Sequence, residues 1–264
     1  MIAVFGAVFF LLFKFITYET NNAEDLLNQV KVGSASKRWQ SAFELAKVLN
    51  NPDADPLTGS FKGQLRSAYE KSIHDDPLVR SYLAMAMGAT KDTTFGAILV
   101  SGLEDHNLET RLAAIQALGL LKYFPATKSI RHIINKTDTP TEKLTATIAL
   151  GMIGDPSTIP HLKNLLDDDE ANIRWDAAIA LAKMGEKSSI PIIENLMDRD
   201  YLMTFPELDY NEITKVILIA IETSSLVADS KFEPKLTKLA SSDENLKIRD
   251  AAIKTLKSNY DKVI

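Results

Sequence analysis

The sequence predicts an all-α fold, an α-solenoid (superhelix) of stacked helical hairpins that an N-terminal apolar helix precedes. The first observation behind this prediction is a segment that recurs about every 31 residues. The second is the spacing of apolar residues within each copy, which follows the 3.6-residue period of an α-helix. A search for the alternating pattern of a β-strand finds no credible run.

The first helix of each repeat carries one residue of a basic column. Its four best members are 31, 32 and 31 residues apart: Arg80, Arg111, Lys143 and Arg174. Small side chains three positions later, such as Ala146 and Ala177, are predicted to face the neighbouring helices and to let them approach closely. Gly88, Gly119 and Gly151 follow, and we expect them to end these helices in a left-handed conformation.

A second amphipathic helix completes each repeat. Its clearest copies are residues 158–166 and 189–197, with 129–136 as a looser copy. Pro160 and Pro191 fall in the first turn of these helices, where a missing N–H group costs little. Each repeat is therefore a helical hairpin, which can bury its apolar face only by stacking on the next hairpin.

Weaker copies extend the repeat in both directions. Arg249 heads a good C-terminal copy, and Lys215 heads a degenerate copy that follows an insertion at 200–209. Upstream, residues 36–49 are predicted to form an early helix. Residues 51–63 are rich in turn formers, so we expect an exposed loop there.

These repeats resemble a known family. The phrase D-x-x-x-R-x-x-A-x-x-A-L-G, at about 31 residues per copy, is similar to the short HEAT repeats also called PBS-lyase-type HEAT repeats. Residues 107–119 and 171–181 carry the resemblance best, and it covers roughly residues 36–256. The resemblance implies a solenoid for protein–protein contact. Some relatives are bilin lyases, but a repeat fold does not transmit that chemistry by itself.

The start of the chain differs in composition from the rest. Residues 1–13 carry no charge, and Lys14 and Tyr18 suit a membrane interface. A cleaved signal peptide and a buried core helix are the alternatives, but the basic start and cleavage site of the former and the polar face of the latter are missing. The predicted domains are a transmembrane anchor at 1–18, a juxtamembrane linker or helix at 19–35 and a HEAT-repeat solenoid at 36–264.

Basic residues that follow the apolar run determine the predicted localisation. Lys14, Lys31 and Arg38 all lie after this run and none lies before it. The positive-inside rule then predicts a single-pass membrane protein whose repeat domain is cytoplasmic, with a periplasmic domain as the alternative.

Composition and motif content disfavour catalysis and nucleic-acid binding. The formal net charge is −5, and there is no cysteine for a disulfide or a thiolate site. The four histidines form no tight ligand pair, and the chain has no phosphate-binding loop or nucleophile motif. We therefore expect a protein that is not an enzyme and that has no cofactor, no metal and no nucleic-acid partner.

The basic column has two interpretations. We expect a structural role, in which each side chain bonds carbonyl or acidic groups of adjacent turns, such as those at Asp76, Asp105 and Asp169. A stripe that binds phosphate or acidic peptides is the alternative. The complete column is Arg80, Arg111, Lys143, Arg174, Lys215 and Arg249.

The second helices carry a candidate partner-binding strip. His132 and His161 are expected to occupy the same place in successive hairpins, and the insertion at 200–209 is unusually aromatic. A solvated helix face and a loop that only covers the next repeat are the alternatives. The candidate partner-binding residues are Arg131, His132, Asn135, His161, Lys163, Asn164, Glu194, Asn195, Tyr201 and Phe205.

Together these features predict a membrane-anchored HEAT-repeat scaffold or adaptor. Its partner would be a protein, either a separate one or another subunit of a membrane complex. The alternative function is that of a bilin lyase-like or other enzyme-accessory protein.

Overall fold

The computed structural model describes residues 22–51 and 56–262, and all regular secondary structure within these ranges is helical. The prediction of an all-α repeat fold is therefore confirmed for this part of the chain. The structure divides into two compact units, Met1–Thr90 and Lys91–Ile264.

The described residues of the first unit form four α-helices: α1 (Ala23–Val32), α2 (Ala35–Leu49), α3 (Gly59–Lys71) and α4 (Pro77–Ala89). The apolar side of α1 is buried, and α1 packs against α2 and α3. Helix α2 also packs against α4. Part of the predicted juxtamembrane segment thus contributes to the folded core of this unit.

The predicted loop at 51–63 is partly wrong, because its second half is helical. The Thr58 side chain caps α3 by accepting a hydrogen bond of 3.1 Å from the backbone N–H of Phe61. The Phe61 side chain is buried, so tertiary packing stabilises a helix start in a segment of turn-forming residues. Residues 52–55 of this loop lie outside the described part of the chain.

The second unit alternates long first helices with shorter second helices. The first helices are α6 (Leu108–Leu120), α8 (Pro140–Ile153), α10 (Ala171–Lys183), α13 (Tyr210–Val227) and α15 (Leu246–Tyr260). The second helices are α5 (Gly96–Ser101), α7 (Thr127–Lys136), α9 (Ile159–Asn164), α11 (Ile190–Leu196) and α14 (Glu233–Ser242), and a short helix, α12 (Arg199–Leu202), lies in the insertion.

The small residues of the repeat lie between consecutive first helices. Ala114, Ala146 and Ala177 are completely buried, and α8 packs against both α6 and α10. A bulky side chain at Ala146 or Ala177 would overpack this interface.

The repeat glycines have a different role from the predicted one. Gly119 and Gly151 lie inside α6 and α8, and the left-handed residues are Lys122 and Gly154, three positions later in each case. A Cβ atom at Gly151 would lie 2.6 Å from the Cβ atom of Ala180, and one at Gly119 would be similarly crowded by α8. The predicted role in helix termination was therefore wrong, because these glycines permit close approach of the next first helix.

The structure contradicts the predicted single-pass membrane localisation. In residues 22–51 and 56–262, no helix combines the length and apolar character that crossing a bilayer requires. Helix α13 has 18 residues, but Glu212, Lys215 and Glu222 interrupt it with charge. The predicted anchor at 1–18 lies outside the described residues.

Candidate functional site

Short 3₁₀ turns set the register of the second helices. These turns begin at Thr93, Phe124, Pro156 and Lys187, which are 31, 32 and 31 residues apart. This register adds α5 as a second helix, which the sequence pattern had not identified. A fully buried residue ends each turn, as Phe95 and Thr158 do, and this burial fixes the rotation of the helix that follows.

This register changes which polar residues correspond between repeats. His132 corresponds to Asn164 and Asn195, and all three are exposed. His161 corresponds instead to Ser129, and both are half-buried. The expectation that the two histidines occupy equivalent places was wrong, because they are 29 residues apart in the chain, whereas the turns before α7 and α9 start 32 residues apart.

The two histidines nevertheless line one groove. Its volume is about 610 Å³, and it crosses the three consecutive second helices α5, α7 and α9. The lining residues are Val100, Leu103, Glu104, Lys128, Ser129, Arg131, His132, Ile133, Asn135 and His161. We call this surface the α7 groove, because most of its lining comes from that helix.

The α7 groove gathers four of the ten predicted partner-binding residues, Arg131, His132, Asn135 and His161. Sequence reasoning missed Lys128 and Glu104. The signal for Lys128 was its position three residues before Arg131, which places both on one side of α7. Glu104 follows α5, so it could be assigned only after α5 was recognised as a second helix.

Arg131 lies half-buried at the junction of α7 and the turn before α9. Its Nη1 donates to the carbonyl oxygen of Ser157 at 3.3 Å, and its Nε is buried without an acceptor among the described residues. The guanidinium also lowers the pKa of Asp155, although the main cause of that shift is the hydrogen bond from the Ser157 backbone. Most of the hydrogen-bonding capacity of Arg131 is therefore unused.

The other polar groups of the groove also lack intramolecular partners. The side chains of Lys128, His132 and Asn135 are exposed. Within residues 22–51 and 56–262, these side chains form no hydrogen bond or ion pair. Glu104 is the single carboxylate among the lining residues. These side chains are available to a ligand without the loss of an existing contact.

The remaining polar members of the predicted strip lie outside this groove. Lys163 pairs with Glu186 at 2.6 Å, so its charge is already compensated. Asn164 and Asn195 are exposed at the C-terminal ends of α9 and α11, and Glu194 is half-buried on α11.

The predicted aromatic residues of the insertion form a separate cluster. The Phe205 ring packs edge-on against Trp175 at 4.8 Å and against Tyr201 at 5.3 Å between ring centroids. The Trp175 Nε1 group donates to the Tyr201 hydroxyl at 3.4 Å. The insertion thus packs against α10, the first helix of the preceding repeat, whereas the alternative predicted that it covers the repeat after it.

The basic column makes contacts along the backbone of the turns. Arg111 donates from Nη1 to the carbonyl oxygen of Asp105 at 2.9 Å and from Nε to Glu142 at 2.6 Å. Burial opposes ionisation of Glu142, but hydrogen bonds from Arg111 and Thr137 hold its pKa below the usual value. Arg111 thus joins its own turn to the following repeat.

Other members of the column also bond carbonyl or carboxylate groups of the turns, but with different partners. Arg174 donates to the carbonyl oxygens of Asp168 and Asp169 at 2.6 and 2.9 Å, and Lys143 pairs with the Asp168 carboxylate. In the first unit, Arg80 donates to the Tyr69 carbonyl at 2.7 Å and lies 4.1 Å from the centre of its ring.

The last two members of the column differ from the rest. Arg249 is half-buried, and its Nε has no acceptor among the described residues. Lys215 is exposed, whereas its neighbour Thr214 is buried. In α13 the side chain that turns inward at this point of the repeat is therefore Thr214 and not the lysine.

Comparisons with known proteins agree with this architecture. The family model described as HEAT repeats matches residues 127–202. No curated protein sequence matches the chain.

Two solved structures are similar in fold. One is the CpcE–CpcF complex of the phycocyanin lyase of a Nostoc species, with a TM-score of 0.59, 18% identity, and 89% of this chain and 86% of that chain covered. The other is YibA of Escherichia coli, with a TM-score of 0.51, 15% identity, and coverage of 93% and 97%. The match to HEAT repeats covers residues 127–202, and the described part of the chain has a solenoid-like repeat fold; at these identities the likeness to the two structures concerns the fold alone.

Proposed function

We propose that this HEAT-repeat protein is a non-enzymatic scaffold that binds a partner polypeptide in the α7 groove. The observation that carries the proposal is the set of polar side chains without intramolecular partners on α7, in a groove that three consecutive second helices line. Repeats that expose equivalent helices side by side form extended binding surfaces, and this use is common for solenoids.

Site-specific photocross-linking tests this proposal. A photoreactive phenylalanine analogue replaces His132, which is exposed in the groove, in the protein expressed in its native cells. The matched control places the same analogue at Lys183, which is exposed at the end of the first helix α10. We expect a discrete protein adduct from position 132 and none from position 183. Adducts from position 183 alone, or from neither position, would contradict the proposal.

The lyase-like alternative makes a different prediction for the same protein. The phycocyanin lyase neighbour, which is similar in fold, is compatible with this alternative. Co-expression with a bilin followed by purification would then give a visible absorbance band. We expect a colourless protein, because the scaffold proposal requires no pigment.

A further inference from the structure

The charge of the α7 groove is opposite to that of the whole chain. The chain has a formal net charge of −5, whereas the groove carries Lys128 and Arg131 against the single carboxylate of Glu104. Lys136, in the last turn of α7, adds a further exposed cation. An anionic ligand would be attracted here and repelled by most of the remaining surface, which favours binding in one place.

The free donors of the groove match carboxylates. The Arg131 guanidinium uses one N–H group, at the long distance of 3.3 Å, and a planar guanidinium pairs with a carboxylate through two parallel hydrogen bonds. Lys128 lies three residues earlier on the same helix and adds a second, exposed positive charge. Neither cation must break a salt bridge of the described chain in order to bind a ligand, although Arg131 lies near enough to Asp155 to lower the pKa of that carboxyl group.

Apolar side chains also line the groove, and they distinguish a peptide from a nucleic acid. Among the lining residues, Val100 and Ile133 are half-buried and Leu103 is buried. The lining includes no Phe, Tyr or Trp ring on which bases could stack, and its two rings are the imidazoles of His132 and His161. Aliphatic contacts beside cations suit a peptide in which acidic and aliphatic side chains alternate.

We infer that the α7 groove recognises an extended acidic segment of a partner protein, in which carboxylates alternate with aliphatic residues. This inference rests on the proposed scaffold function and specifies the chemistry of its partner. Packed helices lie about 8–10 Å apart, and an extended chain rises about 3.3 Å per residue. A segment of about six residues therefore reaches across α5, α7 and α9.

Fluorescence anisotropy with defined peptides tests the inference. The probe is a fluorescein-labelled hexapeptide of alternating Glu and Leu, and the reference is the same peptide with Gln in place of Glu. We expect the acidic peptide to bind at least about tenfold more tightly at low ionic strength, with the difference shrinking as salt is added. Equal affinities, or no binding of the acidic peptide up to about 1 mM, would overturn the inference.

Paired charge changes locate the effect. The double variant Lys128→Gln with Arg131→Gln is expected to weaken binding of the acidic peptide about tenfold. The matched control is Lys247→Gln with Lys257→Gln, which removes the same charge from exposed positions on α15 and should leave affinity nearly unchanged. An equal loss in both variants would mean that only net charge matters, which contradicts a specific groove.

Two further outcomes separate the inference from the proposed function. If labelled oligothymidine binds more tightly than the acidic peptide, the groove is a nucleic-acid site and the inference fails. If the adduct from position 132 maps to a neutral or basic segment of the partner, the scaffold function stands and the acidic-segment inference fails. An adduct on an acidic segment supports both.

Discussion

The α7 groove and the region around Arg199 are both rich in cations, but only the second neutralises them internally. Arg199 pairs with Asp243 at 3.1 Å, and Lys235 pairs with Asp198 at 2.5 Å. The hydrogen bond from Lys235 holds the pKa of Asp198 below its usual range, although burial opposes the shift. In the groove, Lys128 and Arg131 form no salt bridge among the described residues, and Arg131 acts on the Asp155 carboxylate only through its charge.

This difference separates charges that hold the repeats together from charges that are available for binding. The Arg199 pair joins α12 to the turn before α15, and both of its side chains are mostly buried, at 14% and 5% exposure. Removal of one buried partner leaves the other charge uncompensated, whereas an exposed, unpaired lysine contributes little to stability. A count of charged residues on the two surfaces would not reveal this difference.

The largest expected effect concerns the paired charges around Arg199. Asp243→Ala should lower the free energy of unfolding by about 3 kcal/mol, because the buried Arg199 would lose its buried carboxylate and keep only the exposed Glu244, at 3.5 Å. Urea denaturation measures this loss. Glu104→Ala in the α7 groove is the control, and it should change stability by less than about 0.5 kcal/mol. Equal effects of the two changes would remove the distinction between the surfaces.

A half-buried carboxylate, which has no hydrogen bond or ion pair among the described residues, provides the next test. Burial raises the pKa of Asp176 from 3.8 to about 6, and the positive charge of Lys183 only partly offsets this. Since the folded-state pKa is the higher one, the native protein favours the protonated acid. The contribution of Asp176 to the free energy of unfolding is fully present below about pH 4, and it is lost as the pH rises through about 6.

Asp176→Asn should therefore raise the free energy of unfolding at pH 7 by up to about 3 kcal/mol, and this gain should vanish near pH 4. Urea denaturation at both pH values measures the difference. A gain that is independent of pH would show that the amide packs better for another reason. A loss at pH 7 would mean that the carboxylate has a stabilising partner.

The smallest expected effect concerns the insertion. Phe205→Ala should cost about 2 kcal/mol, because its half-buried ring contacts both Trp175 and Tyr201. Met203→Ala is the matched control, since Met203 is 58% exposed on the same loop, and it should be nearly neutral. A neutral Phe205 variant would separate the insertion from the core and restore it as a candidate contact for a partner.

The sequence determined the first helices well and the second helices poorly. The first helices bury one side between two neighbours, so Ala114, Ala146 and Ala177 must be small and recur at a fixed spacing. The second helices are shorter, and one of their sides faces solvent, so fewer residues are constrained. Helix α5 lacks both the proline and the polar residues of its counterparts, which hid it from pattern matching.

The candidate site depended on information that a linear pattern does not contain. The recurrence of apolar and basic residues was enough to predict an all-α stack of hairpins, because each periodic face must be buried against a neighbour. Tertiary structure alone decided that His161 meets α7, because the start of each 3₁₀ turn sets the rotation of the helix after it. It also decided which cations are paired. Lys163 and Arg131 occupy corresponding places in successive second helices, but folding brings a carboxylate into a salt bridge with Lys163 only.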